Sequence, residues 1–205
     1  MNDIKTVERQ TIFTIGHSNQ DLEAFIKLLK DNDFEVLVDI RSNPYSRFAS
    51  QFNKDNIKKA IQVNGMKYLF LGKELGGKPV GTDFYDSDGY VLYSKIADSP
   101  FFAEGIERLI KGIKTYRVAL MCSEENPINC HRRLLVGKVL SDKGIKVLHI
   151  RGDGRIQSED DVIQENSKSK YDEAQQNLFK SEEKQDWKST QSVSLKKAHK
   201  NSLMA

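Results

Sequence analysis

Short apolar segments alternate with segments of helical periodicity over the first 155 residues. Apolar, β-branched runs predict strands at residues 11–15, 36–40, 68–71, 117–121 and 147–150. Apolar residues at helical spacing predict helices at residues 21–30, 55–63, 101–114 and 130–143. Continuous apolar strands that alternate with helices are typical of a parallel sheet covered on both faces. The pattern therefore predicts an α/β domain over residues 1–155, a Rossmann-like three-layer sandwich with a mostly parallel sheet of about five strands.

The composition changes after residue 155. The remainder is rich in Ser, Gln, Lys and Glu and poor in β-branched residues. One short helix is predicted at residues 171–179, within a helical extension over residues 156–180. Residues 181–205 are predicted to form a disordered polar tail, because they cannot bury enough apolar surface to fold.

Composition narrows the class of protein. The chain has 205 residues with a formal net charge of +3, which does not favour a nucleic-acid coat protein. Its two cysteines, Cys122 and Cys130, are too few for a secreted disulfide scaffold. The first ten residues lack an apolar signal core, and no apolar run approaches the roughly 20 residues of a membrane helix. We therefore expect a cytoplasmic protein with reduced thiols and no membrane partner.

Reactive and polar residues follow the predicted strands. They are His17, Ser18, Asp39, Arg41, Ser46, Arg47, Gly72, Gly76, Cys122, Glu124, Cys130, His131 and Arg132. Ligands of open α/β sheets bind beyond the carboxyl ends of the strands, where these segments meet. Their convergence on one edge predicts an active site, although each segment alone is a weak signal.

Cys130 is the predicted nucleophile. Asn129 is a suitable helix cap, which would place Cys130 in the first turn. The helix dipole and nearby arginines would then favour the thiolate, the reactive form of cysteine. The alternative is a buried thiol that packs as a small apolar residue.

The remaining candidates have predicted roles in substrate binding and proton transfer. Arginine forks suit phosphate or carboxylate, and the predicted substrate-binding residues are Arg41, Arg47, Arg132, Ser18, Ser46, Gly72 and Gly76. A carboxylate, Asp39 or Glu124, would act as the general base, with His17 or His131 in proton transfer. For Asp39 the alternative is a structural salt bridge to Arg41.

The same segments resemble a known family. The resemblance is carried by Gly16-His17-Ser18, Asp39-Ile40-Arg41, Gly72, Gly76-Gly77, Cys122 with Glu124, Cys130-His131-Arg132 and Gly154. Over residues 11–155 these motifs resemble the bacterial and archaeal family catalogued as domain of unknown function 488. The resemblance implies a single α/β domain from a prokaryote, and it implies no agreed activity.

These observations favour an enzyme that acts on a small phosphate, a nucleotide or a nucleic-acid component by hydrolysis or group transfer. One alternative is a DNA- or RNA-binding module that uses the same arginines, with Tyr45, Phe48 and Phe52 as stacking groups. Another is a redox or metal site at Cys122 and Cys130. No metal ligand or cofactor is assigned, because the spacing of the cysteines matches no zinc-finger pattern.

Overall fold

The computed structural model describes residues 11–173 and 187–193 of the chain. The strands are β1 Thr11–Gly16, β2 Val36–Asp39, β3 Lys67–Phe70, β4 Tyr90–Leu92, β5 Val118–Cys122, β6 Lys146–Ile150, β7 Ile156–Gln157 and β8 Lys188–Ser192. The helices are α1 Leu22–Asp31, α2 Lys54–Val63, α3 Gly72–Leu75, α4 Tyr93–Ala97, α5 Pro100–Ile113, α6 Lys138–Asp142 and α7 Glu159–Glu173. A π-helical segment, Arg132–Gly137, directly precedes α6. In the ranges 11–173 and 187–193, no helix combines the length and apolar composition that crossing a membrane requires.

The main sheet has six strands in the order β3-β2-β5-β1-β6-β7. Its pairings are parallel except at the edge, where the two-residue strand β7 runs antiparallel to β6. Gly16 at the end of β1 lies opposite Cys122 at the end of β5, so the carboxyl ends of these strands share one edge. The predicted α/β class and all five predicted strands are confirmed.

Helices cover both faces of the sheet, as the sandwich prediction requires. On one face, α1 and α2 bury Phe25 and Ile57 against sheet residues that include Leu37. On the other, α5 and α6 bury Ile106 and Leu140 against the opposite side of the same strands. Alternate strand residues supply the two faces because successive side chains of a strand point in opposite directions. This three-layer arrangement fixes the strand ends that carry the polar segments.

The helix after β5 differs from its predicted form over residues 130–143. Helical structure begins at His131, and six of its residues, Arg132–Gly137, are π-helical. The carbonyl of Cys130 accepts the first helical bonds, from the amides of Arg133 and Leu134. Cys130 therefore lies at the cap position rather than in the first turn, and the expected cap by Asn129 is wrong. Single π-helical turns within helices occur frequently at functional sites.

The structure of residues 187–193 contradicts the prediction of a disordered tail over residues 181–205. Strand β8 pairs antiparallel with β4, and the indole of Trp187 donates a hydrogen bond to the carbonyl of Leu134. The sequence of β8 is polar, so main-chain pairing and Trp187 hold it in place without the apolar alternation that marks a buried strand. Helix α7 begins well before the predicted helix at residues 171–179, and residues 174–186 and 194–205 lie outside the described residues.

Candidate functional site

A polar cleft of about 170 Å³ opens at the carboxyl edge of the sheet. Its walls come from the loop after β2, the loop at residues 77–78, the end of β5 and strand β8. Hydroxyl, amide and cationic groups make up about half of these walls, among them Ser42, Asn43, Lys78, Ser189 and Gln191. The cleft therefore lies where ligands bind in α/β folds, with a lining suited to a polar ligand.

Four reactive side chains, Cys122, Glu124, Cys130 and His131, meet beside this cleft and are called the Cys-Glu-His cluster below; all of them except Cys130 line the cleft. One potential ligand atom from each residue lies within 4.8 Å of the others. The thiols of Cys122 and Cys130 donate to the same oxygen, Oε2 of Glu124, over 2.8 and 3.0 Å. Nδ1 of His131 lies 3.6 Å from Sγ of Cys122 and 4.0 Å from Sγ of Cys130. Both thiols are free and buried, whereas Glu124 is exposed towards the cleft.

The surrounding chain holds the cluster in this geometry. Nε2 of His131 lies 3.1 Å from the carbonyl of Ile40, beyond the end of β2. The buried guanidinium of Arg132 donates to the carbonyls of Glu124 and Glu125, which fixes the loop between β5 and the helix. Gly77 permits the close packing against His131, since a Cβ there would lie 2.5 Å from Cγ of the histidine ring. The cluster is therefore positioned by three separate segments of the chain.

Ionisation within the cluster differs from the predicted pattern. Burial, followed by the hydrogen bond and charge of Cys122, raises the pKa of Cys130 well above its usual value, so the expected thiolate is not favoured. Burial tends to raise the pKa of Glu124, but hydrogen bonds from Cys122 and Cys130 outweigh it and lower the pKa to about 2. Burial tends to lower the pKa of His131, but the interactions with Cys130 and Glu124 outweigh it and raise the pKa. Glu124 is thus ionised at neutral pH.

A second network lies behind the cleft, around Asp39 and Arg41. The Asp39 carboxylate is fully buried and accepts hydrogen bonds from Nε and Nη2 of Arg41 and from the hydroxyl of Tyr68. Nη1 of Arg41 lies 2.9 Å from Nε2 of His17. The His17 ring also stacks on Phe52, with 4.3 Å between ring centroids. His17 and Asp39 are thereby joined through Arg41, as a buried network beside the Cys-Glu-His cluster.

His17 is held in its neutral form. Nδ1 of His17 donates to the carbonyl of Ser18 over 2.7 Å, which leaves Nε2 to accept from Arg41. Burial, followed by the charge of Arg41, lowers the pKa of His17 from 6.5 to about 4. Because the neutral ring uses both of its nitrogens in hydrogen bonds, His17 links the Ser18 carbonyl to Arg41 in this network.

Replacement of His17 should reduce the acid sensitivity of the fold. The unfolded chain protonates His17 below pH 6.5, but the folded chain does so only below about pH 4. Stability from the neutral ring is therefore full above pH 6.5 and is lost as the pH falls towards 4, by about 3 kcal/mol. Urea unfolding of the wild type and His17→Asn at pH 7 and pH 4.5 measures this difference. Equal pH dependence of the two proteins would contradict the assignment, and His149, whose pKa burial also lowers, contributes equally to both.

Of the seven predicted substrate-binding residues, Arg41 is the one that lines the cleft as the structure describes it. Arg132 is fully buried and bonded to main-chain carbonyls and to Oγ1 of Thr14. Arg47 lies over the exposed ring of Phe48, and Ser46 accepts bonds from the amides of its own turn. The other three shape the surrounding loops: Ser18, Gly72 and Gly76. These placements favour structural roles for the residues that lie outside the cleft.

Several residues of the cleft were not among those predicted from the sequence. Ser42 and Asn43 lie three and four positions after the end of β2, so their position after a buried strand was a usable signal. Tyr93, at the start of α4, and the polar strand β8 carried no comparable signal. Their places in the wall depend on the pairing of β4 with β8, which joins segments about a hundred residues apart.

The fold and the site define an α/β protein with a polar cleft and a compact group of thiol, carboxylate and imidazole side chains. A family model described as Domain of unknown function DUF488 matches residues 21–139, more than half of the chain. The chain therefore belongs to this family, as the motifs indicated. The matched region contains the whole Cys-Glu-His cluster together with Asp39 and Arg41, whereas His17 and β8 lie outside it. No curated protein and no solved structure shows a significant match to the chain.

Proposed function

We propose that the chain is an enzyme that acts on a small phosphorylated or nucleotide-like molecule by hydrolysis or group transfer. The observation that carries this proposal is the convergence of the Cys-Glu-His cluster on the polar cleft. Two free thiols, a carboxylate and an imidazole within 4.8 Å are rare as a purely structural arrangement, because burying ionisable groups is costly. Such groups at a cleft are typical of active sites.

The cleft walls support an anionic, hydrogen-bonding substrate. Arg41 uses four of its five guanidinium N–H groups within the described residues, on Asp39, His17 and the carbonyl of Phe52. One N–H group of Arg41 therefore remains for a phosphate, and Lys78 is exposed on the same wall. Hydroxyl and amide groups from the loop after β2 and from β8 would bind the uncharged part of the substrate.

Glu124 is the cluster residue best placed for catalysis. It is exposed to the cleft, whereas Cys130 has only 1% of its surface exposed. An ionised carboxylate at this position can orient an attacking water or hydroxyl group through a hydrogen bond. The buried thiols would stabilise the geometry of that carboxylate through their two hydrogen bonds.

Replacement of Glu124 tests this function. We expect Glu124→Gln to lower kcat by about 100-fold on whichever phosphate ester or nucleotide the wild type converts, because a neutral amide holds the attacking group less strongly than a carboxylate does. A panel of nucleoside mono-, di- and triphosphates and sugar phosphates, followed by chromatography of the products, supplies the measurement. Glu125→Gln is the matched control, since the Glu125 carboxylate pairs with Arg151. Equal losses in both variants, or no turnover by the wild type, would count against the proposal.

Single-stranded nucleic-acid binding is the second candidate function. Tyr45 and Phe48 are 57% and 79% exposed, and the guanidinium of Arg47 lies 4.9 Å from the centroid of the Phe48 ring. Exposed aromatic rings beside a cation are typical of base-stacking surfaces. Phe52, the third predicted stacking group, is fully buried against His17 and cannot serve. Titration with oligonucleotides separates the candidates, because this one requires an affinity that falls steeply with salt and is insensitive to Glu124→Gln.

A further inference from the structure

We infer that Cys122, Glu124, Cys130 and His131 form a zinc site that faces the polar cleft. The inference rests on their mutual geometry: one ligand atom from each side chain lies within 4.8 Å of all the others. Two thiols, one imidazole and one carboxylate make a complete set for tetrahedral zinc. Thiolate ligands favour zinc over magnesium or calcium, which prefer oxygen alone.

The distances fit an ion at the centre of the cluster. A tetrahedral zinc with bonds of about 2.3 Å to sulfur and about 2.0 Å to nitrogen requires about 3.5 Å between those two atoms. Nδ1 of His131 lies 3.6 and 4.0 Å from the two sulfurs. Oε2 of Glu124 lies 2.8 and 3.0 Å from the same sulfurs, within hydrogen-bond distance of both thiols. When zinc displaces the two thiol protons, the carboxylate oxygen needs to retreat by less than about 1 Å.

The supporting contacts resemble the outer shell of a metal site. Nε2 of His131 lies 3.1 Å from the Ile40 carbonyl, which can only accept, so Nε2 carries the proton and Nδ1 presents its lone pair to the cluster. Outer hydrogen bonds of this kind fix the tautomer and the ring orientation of zinc-bound histidine. Arg132 holds the main chain at Glu124 through its carbonyl. The donor atoms are therefore oriented inwards by groups that take no part in the cluster.

The unequal burial of the four residues indicates what kind of zinc site this is. Cys122 and Cys130 are 3% and 1% exposed, whereas Glu124 is exposed to the cleft. Catalytic zinc sites keep three fixed protein ligands and one position open to water or substrate. Here the two thiolates and His131 would be the fixed ligands, and Glu124 would occupy the exchangeable position. This assignment rests on the proposed function only in identifying the cleft as the substrate site.

Metal analysis of the untagged full-length chain tests the inference. After expression in zinc-supplemented medium and purification without chelators, we expect about one zinc ion per chain. The Cys122→Ser and Cys130→Ser variants should each retain no more than about one tenth of the zinc of the wild type, because a neutral hydroxyl is a poor replacement for a thiolate ligand. Glu124→Gln should keep most of its zinc, since three ligands remain, and Glu125→Gln should match the wild type. Circular dichroism of every variant separates loss of zinc from loss of fold.

Cobalt substitution provides a readout that does not depend on variants. Cobalt added to chelator-treated wild-type protein should produce thiolate-to-cobalt charge-transfer absorption and the visible bands of tetrahedral coordination. If the cobalt-treated protein lacks these bands, the inference is overturned. A disulfide between Cys122 and Cys130 after purification under reducing conditions would also overturn it. Zinc-loaded protein that converts no phosphate substrate would overturn the proposed function instead. Full turnover by zinc-free protein would overturn the catalytic assignment of the zinc site and leave the proposed function standing.

Discussion

Asp39→Asn is expected to lower the free energy of unfolding by about 3–5 kcal/mol, because it leaves the Arg41 charge buried without its partner. Asp39 is fully buried and Arg41 is 5% exposed, so solvent cannot replace the lost carboxylate. The substitution also weakens the hydrogen bond from the Tyr68 hydroxyl. Urea unfolding at pH 7, followed by circular dichroism, measures the change.

Asp31→Asn is the matched control for this prediction. Asp31 pairs with Lys27 on the surface of α1, where their side chains are 53% and 73% exposed. Exposed pairs one helical turn apart contribute only about 0.3–0.5 kcal/mol. If Asp39→Asn costs no more than Asp31→Asn, the buried ion pair does not stabilise this fold. A loss of turnover in Asp39→Asn therefore needs the stability measurement beside it before Asp39 is assigned a role as base.

Arg132→Lys is expected to destabilise the protein by about 3 kcal/mol or more. The Arg132 fork is fully buried and donates to Thr14 and to the carbonyls of Glu124 and Glu125. Lysine keeps the charge but cannot reproduce this planar arrangement of donors. Each lost hydrogen bond to a charged group costs about 1.5–3 kcal/mol, so at least two lost bonds give the expected change. Urea unfolding again provides the measurement.

Arg155→Lys is the matched control, because it replaces an exposed arginine by lysine in the same way. Arg155 is 58% exposed in its ion pair with Asp153, so its replacement should leave the stability close to that of the wild type. The Arg132 variant should also bind zinc more weakly, since outer contacts typically contribute 10- to 100-fold in metal affinity. Normal stability in Arg132→Lys would show that the buried fork is dispensable, and that Arg132 is free for the substrate-binding role expected of it from the sequence.

The residues that were predicted to form one active site belong to two separate networks at the sheet edge. His17, Asp39 and Arg41 form a buried support, of which Arg41 reaches the cleft. The Cys-Glu-His cluster faces the cleft through Glu124. A substitution in the buried network of His17, Asp39 and Arg41 should therefore change stability and activity together, whereas Glu124→Gln should change turnover with the fold intact.

The layers, the five long strands and the edge at which the reactive residues meet were all predictable from the sequence. Apolar periodicity is a local property, and it follows directly from which residues face a core. The cap of α1 was equally local: the Asp21 side chain accepts from the amides of Glu23 and Ala24, two and three positions further along.

The pairing of the polar groups, in contrast, depends on the folded chain. Arg132 turns inwards to main-chain carbonyls, His131 reaches Ile40 across 91 positions, and Trp187 anchors a polar strand that has no apolar pattern. These choices depend on distances between segments that are remote in sequence, and burial then sets the ionisation of the side chains. For that reason the sequence could place Cys130 and Glu124 at one edge, but only the fold showed that one carboxylate oxygen accepts both thiols.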